Sequence, residues 1–203
     1  MDKQHAISAE DALRRLLEGN ERFLRGEAHA HTPTRQALED LSQGQHPFAT
    51  ILGCSDSRVP PEWIFDAEPG DLFVVRVAGN VLSAEVAGSL QYAGMHLQTP
   101  LLVVLGHEGC GAIQAAMETK ERGTRQLSRI QLLVDSILPA LDGLDPALSP
   151  PARLAQAVEN NVRWTLRSIL DSPEGRMRQA DGRVKLVGAI YEIRTGRVRL
   201  LDH

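Results

Sequence analysis

Two short segments hold the residues of this chain with the clearest capacity for chemistry. In CSDSR, Cys54 is followed by Asp56 and Arg58, and in HEGC, His107 lies three residues before Cys110. These are the chain's two cysteines. Thiolate and imidazole are donors that zinc prefers in proteins. A set of two cysteines and one histidine leaves a tetrahedral ion one position short, which is the composition of a catalytic zinc site rather than a closed structural one.

The same residues allow other interpretations. A cysteine at a strand end is often a small buried hydrophobe. Cys54 and Cys110 could instead form a redox pair that closes a loop of about fifty residues, although disulfides are rare in the cytosol. The segment GHEGCGA has the order G-x-x-G-x-G rather than G-x-G-x-x-G. It is therefore a weak indication of a nucleotide site.

Composition and charge indicate one ordinary globular domain. The chain has 203 residues, of which 42% are hydrophobic and 24% are charged, and its net charge is −4. This length suits one sizeable core, and the negative charge argues against nucleic acid or an anionic membrane as the main partner. Two cysteines are too few for a secreted disulfide framework. The sequence shows neither a signal-peptide pattern nor the roughly 20 apolar residues of a membrane span. We therefore expect a cytoplasmic protein.

Alternating strand and helix patterns predict an α/β fold, a single domain with a mainly parallel central sheet flanked by helices. Apolar runs without polar alternation are typical of parallel strands that are covered on both faces. The predicted strands are FATILGC (48–54), DLFVVRVAG (71–79), PLLVVLGH (100–107), VKLVGAIYEI (184–193) and, after a turn, VRLLDH (198–203). Helical patterns fill most of the chain between the second and fourth of these strands.

An N-terminal helical arm precedes the predicted sheet. Ser8 followed by Asp11 resembles a capping box, leucines recur at helical spacing, and Gly26 marks the end of the helix. The apolar stripe of this helix must be buried against some surface. We treat residues 1–203 as one domain, with the arm at 1–45 and an α/β zinc core at 46–203.

The topology brings the two chemical segments together. In open α/β sheets, ligands bind beyond the carboxyl ends of the strands. The first predicted strand ends in CSDSR and the third in GHEGCGA, so both cysteines stand at strand ends that we expect to be neighbours. A helix begins directly after Cys110, and its dipole favours the thiolate form of that side chain. The sequence therefore predicts a zinc site at Cys54, His107 and Cys110.

These segments resemble those of the β-class carbonic anhydrases, which carry C-x-D-x-R at one strand end and H-x-x-C-G at another. The similarity runs from about residue 8 to about residue 200 and includes LLEGNERFLRGE, GQHPFATILGCSDSRVPPE, GDLFVVRVAGN, GSLQYA and VGAIYEIRTGRV. The resemblance implies a lyase that reversibly hydrates carbon dioxide to bicarbonate and a proton. It also implies one Zn²⁺ per chain, held by Cys54, His107 and Cys110.

A catalytic role follows for the pair beside the first cysteine. Two thiolates cancel the charge of Zn²⁺ and make it a weaker Lewis acid, so a hydrogen-bond acceptor for the attacking nucleophile is useful. Asp56 is the candidate for that acceptor. Arg58 would hold its carboxylate off the metal through a bidentate ion pair. A surface ion pair with little energetic weight is the alternative interpretation.

The resemblance implies a substrate pocket as well. Gln45, Phe73 and Tyr92 match pocket residues of the plant-like branch of the family, and Ala78 stands where those enzymes have valine. Ile51 stands where another branch, which has a bicarbonate-regulated site, carries tryptophan. Carbon dioxide is apolar, so a dry pocket of this kind suits it.

The resemblance further implies self-association, as a homodimer or as a dimer of dimers that forms a homotetramer. In the family the N-terminal helix reaches across the partner subunit, and the residue that matches Tyr92 comes from the other chain. Three functions stay open at this point: a zinc lyase, a thiol redox protein that uses Cys54 and Cys110, and a zinc-folded module without turnover. Relatives on the same scaffold hydrolyse carbon disulfide or carbonyl sulfide, which the ligand set alone does not exclude.

Overall fold

A five-stranded sheet forms the centre of the protein in a computed structural model, which describes residues 7–29, 32–173, 175–177, 182 and 184–202. The strands are β1 (Ala49–Gly53), β2 (Leu72–Arg76), β3 (Leu101–His107), β4 (Lys185–Glu192) and β5 (Arg197–Leu200). Their order is β2-β1-β3-β4-β5. All neighbouring pairs are parallel except β4 and β5. The predicted α/β fold with a mainly parallel sheet is confirmed. The last residue of the predicted run 198–203 lies outside the described residues.

Helices cover the sheet between its strands. Their bounds are α1 (Ala9–Arg25), α2 (Arg35–Leu41), α3 (Pro61–Ile64), α4 (Ala84–Tyr92), α5 (Gly111–Arg122), α6 (Ser128–Ile137) and α7 (Pro150–Asp171). Strands β1 and β3 are buried at every position, as expected of central parallel strands. The apolar residues of β2 are only half-buried because this strand forms one edge of the sheet. Among the residues described, no helix is long and apolar enough to span a bilayer.

Helix α1 has the bounds that its capping residues predict. The Ser8 hydroxyl accepts a hydrogen bond from the Asp11 N–H at 3.0 Å. At the other end, Gly26 adopts a left-handed conformation (φ 69°), and its N–H bonds to carbonyls of the last turn. A left-handed residue at this position favours glycine, which has no Cβ.

Part of the apolar surface of α1 is buried on its own chain. Ala12 and Leu16 are buried in the core, and Asn20 donates to the carbonyls of Ile64 at 3.0 Å and Gly196 at 2.9 Å. The other leucines of this helix, Leu13, Leu17 and Leu24, are only half-buried. The expectation that α1 also lies across a second subunit therefore stays a prediction. None of the residues of α2 is buried.

One predicted strand ends earlier than its sequence pattern, and one helix changes its type. The helical pattern SAEVAGSLQYAGMHLQ (83–98) is helical through Leu97, as α4 followed by a π-helix at Ala93–Leu97, and Gln98 adopts a left-handed conformation (φ 55°). The strand predicted over 71–79 ends at Arg76. It is followed by two left-handed residues, Gly79 (φ 71°) and Asn80 (φ 45°). Apolar character continues through both segments, so hydropathy alone does not locate these changes of backbone conformation.

Candidate metal centre

The sheet brings the two cysteines and the histidine to one place. Strands β1 and β3 are parallel neighbours, with Gly53 opposite Leu105. Cys54 follows β1, His107 is the last residue of β3, and Cys110 is the N-cap of α5. All three side chains are buried, and their potential ligand atoms lie within 4.8 Å of one another. The expected proximity of the two strand ends therefore produces a compact cluster of two sulfurs and one imidazole.

The ring of His107 is oriented for coordination through Nε2. Its Nδ1 lies 3.0 Å from the carbonyl oxygen of Glu108, so Nδ1–H donates there and Nε2 carries the lone pair. Nε2 is buried and has no hydrogen-bond partner among the residues that the structure describes. A buried acceptor without a partner is unfavourable unless an ion or a donor satisfies it. Orientation through Nδ1–H is also the common arrangement of metal-binding histidines.

The two thiols lie close enough for one to donate a hydrogen bond to the other. The Sγ atoms of Cys54 and Cys110 lie 4.0 Å apart. A hydrogen bond from Cys110 is the main cause that lowers the pKa of Cys54, and the interaction with Cys54 together with burial raises the pKa of Cys110. Two thiolates this close repel each other, whereas a divalent cation between them would stabilise both. The donor set therefore fits Zn²⁺.

Two backbone amides also face the Cys54 sulfur. The N–H groups of Asp56 and Gly79 each donate to Sγ over 3.4 Å. Both bonds further lower the pKa of this thiol. The Asp56 amide belongs to the turn that follows β1, while Gly79 comes from the loop after β2. The thiolate of Cys54 is thus stabilised by two separate segments of the chain.

Asp56 and Arg58 form a bidentate ion pair at the edge of this cluster. Arg58 Nε donates to Oδ1 at 2.9 Å and Nη2 donates to Oδ2 at 2.7 Å. These bonds hold the pKa of Asp56 well below its usual range. Oδ2 lies 4.0 Å from His107 Nε2. The structure therefore places an ionised carboxylate beside the potential ligands, with its orientation fixed by the guanidinium.

Arg76 holds the CSDSR turn in place through two hydrogen bonds, and the sequence alone did not indicate this role. It is the last residue of β2 and lies opposite Gly53 in the sheet. Its Nε donates to the Cys54 carbonyl at 2.8 Å, and its Nη2 donates to the Asp56 carbonyl. In the sequence, only the position of an arginine at the end of an apolar strand could have suggested this role. The contact itself becomes predictable only when β2 is known to pair with β1.

Of the residues expected to line the pocket, Ala78 lies beside the site and Gln45 is at the surface. Ala78 is half-buried and directly precedes Gly79, whose amide contacts the Cys54 sulfur. Gln45 follows α2 and is exposed. No hydrogen bond joins its side chain to any described residue. Within one chain, Ala78 is therefore positioned to form a wall of the site, and Gln45 is not brought to it.

Phe73 and Tyr92 form an aromatic pair away from the ligands of their own chain. Their ring centroids are 6.1 Å apart, and Tyr92 is 46% exposed. Phe73 lies opposite Thr50 in the sheet. Thr50 precedes Cys54 by four residues, which corresponds to about 13 Å along an extended strand. The pair thus lies at the open β2 edge, and one chain does not bring it to the metal ligands.

Comparison with known proteins gives one consistent result. A family model described as carbonic anhydrase matches residues 49–198. Carbonic anhydrase 2 of Mycobacterium tuberculosis is 37% identical over 198 residues, covering 95% of this chain and 92% of that protein. The carbonic anhydrase of Mycolicibacterium smegmatis is 35% identical over 194 residues, covering 95% and 93%.

Solved structures show the same similarity. The β-carbonic anhydrase CcaA has a TM-score of 0.74 and 30% identity, over 94% of this chain and 87% of that chain. A Coccomyxa β-carbonic anhydrase, solved in complex with acetazolamide, has a TM-score of 0.75 and 27% identity, over 93% and 86% of the two chains. The similarity therefore covers nearly the whole of both structures in each comparison.

Proposed function

This chain belongs to the β-carbonic anhydrase family and is a carbonic anhydrase, and on that premise we propose that it hydrates carbon dioxide at a zinc ion held by Cys54, His107 and Cys110. The observation that carries this proposal is the unpartnered, buried Nε2 of His107, which lies within 4.8 Å of both sulfurs. Nitrogen and sulfur donors in this number suit a catalytic zinc ion that keeps one position for water or substrate.

Bound at these residues, zinc would supply a Lewis acid that lowers the pKa of water to about 7, so that hydroxide is available at neutral pH. The residues of the chain hold the ion and limit how much negative charge its thiolate ligands donate to it. Two thiolates donate much negative charge, and the amides of Asp56 and Gly79 withdraw some of it from Cys54. Hydrogen bonds of this kind tune a metal centre without touching the metal.

Asp56 is the proposed acceptor for the attacking nucleophile. Its carboxylate stays ionised because Arg58 lowers its pKa. The carboxylate can therefore accept a hydrogen bond from the attacking hydroxide, which would orient a lone pair of the hydroxide oxygen toward the substrate carbon. Arg58 fixes both carboxylate oxygens. The carboxylate is thereby kept from turning toward the metal position, only 4.0 Å from His107 Nε2.

The remaining pocket is proposed to include a second copy of the chain. Ala78 forms an apolar wall beside the ligands, and the Gln45 amide donates to a bicarbonate oxygen. Phe73 and Tyr92 would line the site of the neighbouring copy, since they lie far from the ligands of their own chain. The carbon dioxide molecule then meets an apolar surface on both sides.

We propose that the protein forms a homodimer, or a dimer of dimers that makes a homotetramer. The reason is that two elements lack packing neighbours within the described chain. None of the residues of α2 is buried, and Leu38 is 54% exposed. A helix of seven residues with no fully buried side chain has little stability by itself. Strand β2 presents an open edge and half-buried apolar side chains. A second copy could cover both features.

We also propose that residues 1–203 act as one domain and that the protein works in the cytoplasm. The burial of α1 on the sheet joins the N-terminal segment to the α/β core. Both cysteines are free and buried beside each other, which fits a compartment that keeps thiols reduced. The substrate is a small molecule, and the net charge of −4 does not favour nucleic acid or an anionic membrane.

The decisive experiment combines metal analysis with a stopped-flow hydration assay on one preparation. We expect one zinc per chain and rapid hydration, with both lost in Cys54→Ala, His107→Ala and Cys110→Ala, because two protein ligands hold zinc poorly. The matched control is Ser55→Ala, which changes an exposed neighbour of Cys54. A ligand variant with full zinc and normal turnover would remove that residue from the set.

The same preparation separates the alternative functions. Assays with carbon disulfide and carbonyl sulfide would detect a sulfur-compound hydrolase on this scaffold. A protein that needs no zinc, hydrates no carbon dioxide and carries a Cys54–Cys110 disulfide in its oxidised form would instead support a thiol redox function. We expect carbon dioxide to be the preferred substrate and both thiols to be reduced in the zinc-loaded protein.

A further inference from the structure

The loop that reaches the Cys54 sulfur has two residues in the left-handed region. Gly79 and Asn80 both adopt positive φ angles, 71° and 45°. Glycine tolerates this conformation, but asparagine does so at an energetic cost. Gly79 is the residue whose N–H donates to Cys54 Sγ. The residue types therefore allow this loop conformation, and tertiary contacts to its carbonyls fix where the Gly79 amide points.

Helix α7 provides those contacts. Asn161 Nδ2 donates to the Gly79 carbonyl at 2.8 Å, and Thr165 Oγ1 donates to the Asn80 carbonyl at 3.3 Å. Asn161 is 1% exposed and Thr165 is 2% exposed. The two residues are four apart and thus lie on the same face of the helix. One face of α7 therefore fixes the two carbonyls of the loop that delivers an amide to the sulfur.

The chemistry of Asn161 favours a positioning role over a purely structural one. The residues four and three positions before it, Ala157 and Val158, are 0% and 3% exposed, so apart from Thr165 this face of α7 is apolar core. Asn161 Oδ1 has no hydrogen-bond partner within the described part of the chain. Burying a polar atom without a partner is unfavourable. A residue chosen for packing alone would be apolar, and the hydrogen bond that the amide does make goes to Gly79.

We propose that Asn161 is a positioning residue of the metal centre, which fixes the Gly79 amide on the Cys54 thiolate by holding the Gly79 carbonyl. This inference rests on the proposed zinc function. The N–H···S hydrogen bond withdraws negative charge from one of two adjacent thiolates. Less charge is then donated to the metal, which stays a stronger Lewis acid, and the two sulfurs repel each other less.

The test compares metal binding of the wild type and Asn161→Leu, a substitution that keeps the number and branching of the side-chain heavy atoms and removes the hydrogen bond. Competition with a chromophoric chelator gives the zinc dissociation constant, which we expect to rise roughly ten- to a hundred-fold, the range for loss of such a supporting contact. Loading with Co²⁺ gives a thiolate-to-cobalt charge-transfer band. We expect this band to move to lower energy in the variant, because the Cys54 sulfur becomes more electron-rich.

The matched control is Thr119→Val, which removes a buried hydroxyl that bonds to Gln126. This change alters a buried polar contact away from the metal, so the zinc dissociation constant and the cobalt band should stay as in the wild type. If the control moves the band as far as Asn161→Leu does, general destabilisation is the cause and the inference is wrong.

A second variant acts on the same hydrogen bond from the loop side. A Cβ at residue 79 would lie 2.9 Å from Ile137 Cδ1 and 3.2 Å from the Ala112 Cβ, and the positive φ adds strain. Gly79→Ala should therefore shift the amide and move the cobalt band in the same direction. It tests whether the Gly79 amide tunes the sulfur. If Asn161→Leu does not fold, Asn161→Ala, which removes the same hydrogen bond to the Gly79 carbonyl with a smaller side chain, is measured in its place.

The outcomes separate the two proposals. A wild type that binds neither zinc nor cobalt at these residues overturns the proposed function and this inference together. A wild type that binds both metals, with an unmoved band and a zinc dissociation constant within about twofold of wild type in the variants, overturns this inference alone.

Discussion

Arg58 holds the carboxylate of Asp56 by both of its oxygens, with Nε on Oδ1 at 2.9 Å and Nη2 on Oδ2 at 2.7 Å. The same Oδ2 lies 4.0 Å from Nε2 of His107. A small rotation of the free carboxylate would bring it to the metal position. Under the proposed function, the guanidinium would decide whether Asp56 serves the nucleophile or becomes a further ligand.

Arg58→Ala should keep its zinc and lose activity near neutral pH by roughly ten- to a hundred-fold, as is typical for residues that orient groups at a metal site. The freed Asp56 would turn toward the metal and exclude water. Activity should recover partly as pH rises, because hydroxide then competes with the carboxylate. The measurement is the stopped-flow hydration rate against pH, with zinc content on each sample.

Arg14→Ala, which alters an exposed ion pair on α1, is the control. If Arg58→Ala hydrates carbon dioxide at the wild-type rate over the whole pH range, the Asp56–Arg58 pair is only a surface salt bridge.

Asp56→Asn should also keep its zinc, but its defect should not depend on pH. Arg58 holds the pKa of Asp56 far below its usual range, so the wild-type carboxylate is ionised wherever the protein is assayed. The amide is a weaker acceptor at every pH, and we expect a loss of roughly 10²- to 10⁴-fold. Parallel pH profiles for the variant and the wild type would check this. A variant as active as the wild type would exclude Asp56 as the acceptor.

The sequence was sufficient to place the cluster of Cys54, His107 and Cys110 at adjacent strand ends. Two uninterrupted apolar runs predict neighbouring central strands, and each of them stops at a residue with a ligand atom. The ends of α1 were equally predictable, because Ser8 and Gly26 act through local backbone geometry. Local sequence patterns and the adjacency of strands were therefore enough to predict the ligand cluster and the ends of this helix.

The supporting residues could not be found in the same way. Arg76 reaches Cys54 across 22 positions of sequence, and Asn161 reaches Gly79 across 82. Neither contact leaves a periodic or local signal, because each depends on how separate elements pack. The burial of α1 on its own sheet belongs to the same class, since an amphipathic stripe shows that a helix is covered but not by which surface.

Asp66 gives a stability prediction that is independent of catalysis. Its side chain is fully buried and accepts hydrogen bonds from Arg22 and from the ring and backbone N–H of His29. Burial alone would raise its pKa, but these hydrogen bonds outweigh it and lower the pKa to about 2 from the usual 3.8. The folded state therefore binds this proton less readily than the unfolded state. The associated stability is present above about pH 4 and is lost as the pH falls toward about 2.

Asp66→Asn should reduce the free energy of unfolding by about 2 kcal/mol at pH 7, which is the energy of this pKa shift. The difference from the wild type should shrink to near zero at about pH 2. Urea unfolding at a series of pH values measures it. Asp142→Asn, which removes an exposed carboxylate paired with Lys120, should cost less than about 1 kcal/mol. A constant difference between Asp66→Asn and the wild type at all pH values would contradict the linkage.

Gln45→Ala should affect turnover without affecting zinc. We propose that the Gln45 amide donates a hydrogen bond to a bicarbonate oxygen, and deleting one such donor lowers the rate roughly ten- to a thousand-fold. Gln43→Ala is the matched control, since Gln43 is an exposed glutamine two residues away that bonds to Ser42. Zinc content and hydration rate are measured on both variants. Equal rates for the two would place Gln45 outside the pocket.

Mixed assemblies test whether Phe73 serves the site of another copy. Cys54→Ala and Phe73→Ala should each be poorly active alone. In a hybrid dimer, the ligands of the Phe73→Ala chain would meet the intact Phe73 of the Cys54→Ala chain. Half of randomly mixed dimers are hybrids, each with one complete site, so activity should return to roughly one quarter of the wild-type value.

A second mixture provides the control for this complementation. Cys54→Ala with His107→Ala should show no recovery, because both ligands must come from one chain: the ligand atoms of a single chain already lie within 4.8 Å of one another. Phe73, by contrast, lies about 13 Å along the strand direction from the ligands of its own chain. Native mass spectrometry establishes that hybrids have formed in both mixtures. If the first mixture contains hybrids and stays as inactive as its components, Phe73 does not complete the site of a neighbouring copy.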